Sequence, residues 1–553
     1  MRERMLLGGR GTLSVRRLLA ASAVAALSAG MALNAAASEA AVASAARVGD
    51  LSKVRELIAA GGDVNVPEAD GSTPLLWAAY HSHPEMVTAL LEAGADPNAA
   101  NRFGITPLMQ ASRYGDEPVI RALLDGGAKL DIEHPEGVTP LMAAARAGSV
   151  PAVKLLLERG SDPNAVESQW NQTALMWAAA EGHVDVVGVL LEAGADPNMQ
   201  ARVTELTRRS TRTDFPTGGF TALMWAARNG DEAVVRRLIE GGADINMTNG
   251  DGATAMMLAI INDRFDFAAK LLELGADPND GSLYRAVEMR DATTDWLAKD
   301  GTRLRSDHPN ELTALDLIRV LLEAGADPNK PYVGQMHSTS MCCDTFENGS
   351  PFFRAAIAAD VAALELLIEH GADLEWSPEA AEGGGGPMAN RNVGKTPLMV
   401  AMDGGKGVGM AGGPGDIREG RPPPFREEAN REPADAVRLL LEAGADPDAV
   451  TPDKGESALH IASRSGKLDI IEILADAGAS LNLENNEGET ALEIVEKMPP
   501  REPPPLTGAQ AGQPQGAQPA EVAELLRKLM ADRGLLDDAE TSIQAAASGG
   551  EAR

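Results

Sequence analysis

One short stretch of this 553-residue chain has the chemistry of a soft-metal or redox site: Met336-His337-Ser338-Thr339-Ser340-Met341-Cys342-Cys343. It holds both cysteines of the chain, side by side. Thioether, imidazole and thiolate groups suit Cu(I), and adjacent thiols in an oxidising compartment form a strained disulfide or cross-link partners. Met336, His337, Met341, Cys342 and Cys343 are therefore the candidate redox or metal residues, set against the plainer reading of an inert pair. No other segment calls for a metal or cofactor. Ala389 to Thr396 reads ANRNVGKT, a near match to a phosphate-cradling GxxxxGKT loop, but Ala389 replaces the first glycine, no strand precedes it and Pro397 follows. His81 and His83 are spaced like a ligand pair, yet His83 and His183 hold the same place in a repeated pattern, which makes them structural. No nucleophile and base stand together, so a non-enzyme is expected.

The elements that would position such residues follow a clock. The last residue of Gly-Ala-Asp-x-Asn recurs at Asn65, Asn98, Asp131, Asn164 and Asn198, in steps of 33, 33, 33 and 34. It continues at Asn246, Asn279, Asn329, Glu375, Asp448 and Asn482. Unit starts keep the same time at Thr73, Thr106, Thr139, Thr173, Thr221 and Thr254. Such self-similarity means short stacked supersecondary units. Within one unit, Thr139 suits a helix N-cap, Pro140 the first helical turn, and Gly148 a break. Val153, Leu155, Leu156 and Leu157 give a second helix a branched stripe, and Gly160 a left-handed end.

GVTPLMAAARAGSVPAVKLLLERGSDPN, from Gly137 to Asn164, resembles an ankyrin repeat. The resemblance runs from roughly Glu39 to Met530. It implies an all-α solenoid of about twelve helix-turn-helix units, with β-turn connections and several loop insertions. It also implies that partners are bound by a concave face and the turn tips. The family's Thr-Pro-Leu-His loses its His to Met at Met109, Met142, Met176, Met224 and Met257, and only His460 keeps it. Packing is expected to replace the imidazole's hydrogen bonds.

On this reading residues 1–37 are a signal peptide. Repeats 1–7 and the start of repeat 8 fill 38–290, with an insert at 203–217. A further insert occupies 291–311. Repeats 8–12 fill 312–497, with inserts at 330–348, 382–393 and 403–432. A Pro-rich insert at 498–520 precedes a last helix at 521–532 and a tail at 533–553 expected to be disordered. The leader pairs five Arg with an apolar, Ala-rich run and Ala35-Ala36-Ala37 before Ser38, a small-residue cleavage pattern. Export to a periplasm or beyond is expected, with no membrane span after cleavage, and the Ala, Gly and Arg usage suggests a bacterium.

The net charge of −32 argues against nucleic acid, whose phosphates would be repelled. It favours a protein partner with a basic patch, mainly through encounter rate. Aromatic residues are scarce, 3% of the chain, which singles out the recurrent ones as anchors. Trp77, Trp177 and Trp225 share one register in first helices, while Phe103, Trp170 and Phe220 fall near turn tips. These six are the candidate partner-binding residues, packing being the alternative for each. The expected protein is a monomeric, exported binding scaffold. The rival readings are a metal or redox protein using Met336 to Cys343, and a secreted effector that binds a host protein.

Overall fold

The computed structural model describes residues 40–131, 134–207, 214–290, 310–332, 349–379, 392–403, 431–501 and 516–535. The leader, the Met336–Cys343 segment, most of each long insert and the C-terminal tail lie outside the described residues. Within them are twelve helix pairs, from Ala41–Arg47 with Leu51–Ala59 to Ala491–Glu496 with Pro519–Asp532. None of these helices is long and apolar enough to cross a membrane. The described chain forms two units. One holds the residues up to Arg202 with Thr221–Ala226 and Ala233–Ala243; the other holds the remainder.

Repeat 4 shows why the sequence folds this way. Thr139 Oγ1 accepts the Met142 N–H at 3.2 Å, and Pro140 opens the helix Pro140–Arg146. Such a cap contributes about 1 kcal/mol. Leu141, Ala144 and Ala145 are buried, and the alanines let neighbouring helices approach closely. Gly148, at φ 73°, turns the chain; a Cβ there would strike the His183 ring at 2.6 Å. Ser149 then caps Val150–Glu158 and donates to the Gly115 carbonyl of repeat 3 at 2.7 Å. Val153 and Leu156 are fully buried, and each such side chain contributes roughly 1.5–3 kcal/mol once covered.

Three hydrogen-bonded ladders join one repeat to the next. The periodic asparagine is a two-sided clamp. Asn98 Nδ2 donates to the Gly127 carbonyl at 3.2 Å, and its Oδ1 accepts the Lys129 N–H at 2.8 Å. Asn164 does the same to Gly194 and Asp196. Within the second unit the clamp crosses the repeat-8 insertion unbroken, from Asn279 to Gly325 and Asp327 and from Asn329 to Gly371 and Asp373. Glu375, having only acceptors, keeps one half, taking the Asp446 N–H at 2.7 Å. The second ladder ties helix ends: His81 and His183 reach the carbonyls of Arg47 and Arg146 at 2.7 and 3.0 Å. The third joins turn tips through backbone bonds, Arg102 N–H to Asp70 O and Ser168 N–H to Glu136 O.

Several expectations need amendment. The described residues are not wholly helical. Val203–Thr207 pairs antiparallel with Asp214–Gly218, so the insert expected at 203–217 is a β-hairpin. It grows out of a tip: Gly218 O still accepts the Gly250 N–H, as the corresponding carbonyl does in other tips. Asn310 and Glu311, assigned to an insert, belong to the packed repeat. Asn310 bonds Phe265 N–H and Asp263 O, while Asp266 accepts the N–H groups of Glu311 and Leu312. The last helix starts at Pro519, two residues before the expected boundary. Methionine does not only pack where the family's His is lost. Met142 Sδ accepts the Thr139 N–H, and Met224 Sδ that of Thr221, both at 3.5 Å, as weak substitutes for the imidazole bond that His460 makes to Ser457.

Candidate functional site

Trp77, Trp177 and Trp225 are each the fourth residue of a first helix, and all three are half-buried. Trp177 is the most firmly held. Its Nε1 donates to Gln172 Oε1 at 2.9 Å, and the Arg146 guanidinium lies 5.6 Å from its ring centre. Trp77 packs edge-on against Tyr80, with centroids 5.6 Å apart. Its Nε1 is shielded from solvent and has no hydrogen-bond partner among the described residues.

The tip residues divide. Phe103 and Trp170 are exposed, at 68% and 48%, whereas Phe220 is half-buried. Trp170 sits on a tip built differently from its neighbours. In repeat 3, Asn101 Oδ1 accepts the N–H groups of Phe103 and Ile105, closing a tight turn. The tip of repeat 5 is one residue longer, which is the origin of the 34-residue step from Asn164 to Asn198. There Glu167, one methylene longer than Asp, spans the wider loop. Its buried carboxylate accepts the N–H groups of Gln169, Trp170 and Gln172 at 2.6–3.0 Å. Asn171 takes the left-handed slot, at φ 55°, that glycine fills in other tips. Arg202 N–H donates to the Trp170 carbonyl at 2.6 Å, and its guanidinium reaches Ser168 O and Asn171 Oδ1. The backbone of an exposed tryptophan is thus fixed from three sides.

Sequence reasoning missed two members of this surface. Tyr80 and Tyr114 are 46% and 52% exposed and meet edge-to-face at 5.9 Å. Both end first helices of adjacent repeats, Tyr80 in the seventh place and Tyr114 in the eighth, so no shared register marked them. His81 is engaged with the Arg47 carbonyl, a structural contact. Among the described residues no group of three or more His, Cys, Asp or Glu is placed to hold a metal ion. Gly394-Lys395-Thr396 is a turn tip followed by the short helix Pro397–Ala401, and a Cβ at Gly394 would strike Pro452 at 2.4 Å. It is packed against the next tip and offers no phosphate cradle.

The family model for ankyrin repeats (3 copies) matches residues 41–134, 108–201, 203–282 and 428–495, together more than half of the chain. The chain belongs to the ankyrin-repeat family. Among curated proteins, it is 34% identical over 61 residues to the E3 ubiquitin-protein ligase KEG of Arabidopsis thaliana, a match covering 11% of this chain and 4% of that protein. It is 33% identical over 102 residues to the human neurogenic locus notch homolog protein 2, covering 18% of this chain and 4% of that one. The chain therefore spans a small fraction of the length of these relatives. Among solved structures, the human ASB11 ankyrin repeat domain aligns with a TM-score of 0.34 and 29% identity, covering 39% of this chain and 90% of that chain. The ankyrin repeat domain of Bcl-3 aligns with a TM-score of 0.35 and 28% identity, covering 42% and 97%.

Proposed function

We propose that this chain is an exported, non-catalytic scaffold that binds another protein through the first-helix face and turn tips of its N-terminal repeats. Ankyrin repeats are generally protein-binding modules. The observation that carries the assignment here is Trp170. A buried carboxylate, a left-handed asparagine and an arginine fix its loop while its indole stays half in solvent. Pre-ordering an aromatic anchor lowers the cost of binding, and large aromatics dominate interface energetics. Trp77 adds support. A shielded N–H without a partner costs roughly 1–3 kcal/mol, so packing alone would favour a plain apolar residue there. Export rests on the basic, apolar and small-residue order of residues 1–37.

The test is cross-linking mass spectrometry on the secreted and periplasmic fractions of producing cells, comparing the natural chain with Trp170→Ala and Trp177→Ala. Each variant should keep its helical circular dichroism and lose about 30-fold in affinity for the captured partner, the scale of a hot-spot anchor. Unchanged capture by both variants would refute the assignment of the surface. Recovery of the chain only in the cytoplasm with an uncleaved leader would refute export.

A further inference from the structure

We infer that the partner segment on the first-helix face of repeats 1–4 is acidic, although the chain itself carries a net charge of −32. The inference rests on the protein-binding reading above and adds the chemistry of what is bound.

Negative charge is not spread evenly over the repeats. The first helices of repeats 1–5 read AVASAAR, PLLWAAY, PLMQASRY, PLMAAAR and ALMWAAA. They contain no carboxylate, in a chain with 81 Asp and Glu. The second helices of the same five repeats carry eight. What the first helices expose at their ends is cationic and aromatic. Their seventh residues are Arg47, Tyr80, Arg113 and Arg146, spaced by 33 each, so stacking places them in one row. Tyr114 stands beside Arg113, and Trp177 lies under the Arg146 guanidinium.

These cations can be engaged by a partner. Arg47 and Arg146 each meet one carboxylate, Glu68 at 3.0 Å and Glu181 at 3.2 Å, with both arginines more than half exposed. The Arg146–Glu181 pair, exposed on both sides, is worth about 0–1 kcal/mol, so a partner carboxylate can replace it at small cost, whereas Arg47 is held by a Glu68 side chain only 19% exposed. Arg113 is exposed and forms no ion pair among the described residues. Packed helices stand about 8–10 Å apart, and an extended chain advances about 3.3 Å per residue. The row therefore fits an extended segment whose contacts fall at about every third residue, with carboxylates over the arginines and an apolar or aromatic group over Tyr80. The cationic row, set among acidic second helices, would orient the segment as it arrives. A nucleic acid is a poorer occupant, because its continuous backbone charge would meet the acidic second helices and loops as well.

The experiment places a photo-reactive phenylalanine analogue at Tyr114, and in a second protein at Trp170, of the full chain in producing cells. Mass spectrometry then reads the sequence of whatever segment is captured. The expected result is a net-acidic segment from position 114. Its yield should fall at least tenfold in an Arg113→Glu/Arg146→Glu variant and be largely retained in Arg113→Lys/Arg146→Lys. A neutral or basic segment, a captured nucleic acid, or a yield indifferent to charge reversal would overturn the acidic preference. A protein captured at position 170 under those outcomes would leave the protein-binding reading intact. No capture from either position would sink both.

Discussion

The fourth residue of the first helix is Trp77 in repeat 2 and Trp177 in repeat 5, but Arg285 in repeat 8 and Arg354 in repeat 9. One register slot thus has two fates. In repeats 2 and 5 it is half-exposed and aromatic, whereas Gln110 and Ala143 fill it, buried, in the two repeats between them. In repeats 8 and 9 it is buried and cationic, and Arg285 is supplied with local partners. Arg285 pairs with Glu288 and lies 4.6 Å from the ring centre of Tyr332, which itself stacks on Tyr284 at 5.4 Å. Nearby, Arg290 and Asp360 form a fully buried two-point ion pair at 2.7 and 3.0 Å. Arg431, directly after the longest insertion, also reaches Asp360 and the Arg290 carbonyl. The lesson is that one slot faces solvent or the interior according to the packing around it, and that a buried Arg285 or Arg290 is met by paired charge. Where the slot holds Trp77 or Trp177 it stays half open to an outside partner.

The contrast can be broken most severely at Asp360. Asp360→Ala would strand Arg290 in the interior and remove the cap on Val361–Glu369. A loss of about 3–5 kcal/mol is expected, read by denaturant unfolding, with hydrogen exchange showing the damage in repeats 8–10. A loss below about 1 kcal/mol would mean the pair is not buried as described. Next in size, Asn98→Ala would cut both halves of one clamp in the regular repeats. About 1–3 kcal/mol should go, against a smaller change for Glu375→Ala, where only the acceptor half exists.

A pH experiment probes the far end of the array. Burial holds the His460 imidazole below its ordinary 6.5, and its Nδ1 accepts the Ser457 N–H, a bond the protonated ring cannot accept. The unfolded chain takes up this proton first as pH falls below 6.5, so the stability tied to neutral His460 is present above that value. It is lost as pH drops toward the lower folded value. Hydrogen exchange in repeats 11 and 12 at about pH 7.5 and about pH 5.5 should show weakened protection in the natural chain. His460→Asn should lack that difference. The smallest stability effect is expected on the open side of the comparison. Arg146→Ala removes only exposed contacts to Glu181 and Trp177, so unfolding should shift by less than about 1 kcal/mol. A larger shift would assign this arginine to the scaffold and weaken its place in the binding row.

Much of the scaffold was legible because each local signal repeats. Thr, Pro and Gly mark caps and turns by their own backbone chemistry, and a marker that recurs at eleven positions is hard to mistake. The asparagine was visible as a marker, but its clamp was not, because both of its partners belong to the following repeat. The aromatic slot was legible too, through shared register. Its exposure was not: Trp77 and Arg285 occupy the same position, and only the packing around each decides which is open. Glu167 went unnoticed, since an acidic residue in a turn has no distinguishing mark until three backbone N–H groups are seen to converge on it.

The sequence alone determined the repeat, its register, the helix caps and the total charge, because these follow from residue types at fixed spacing. Tertiary structure decided which carboxylates and arginines share a face. Net charge is a sum over the whole chain, but a partner meets one surface. Stacking gathers Arg47, Arg113 and Arg146 with Tyr80 and Tyr114, and brings Glu68 and Glu181 to two of the arginines.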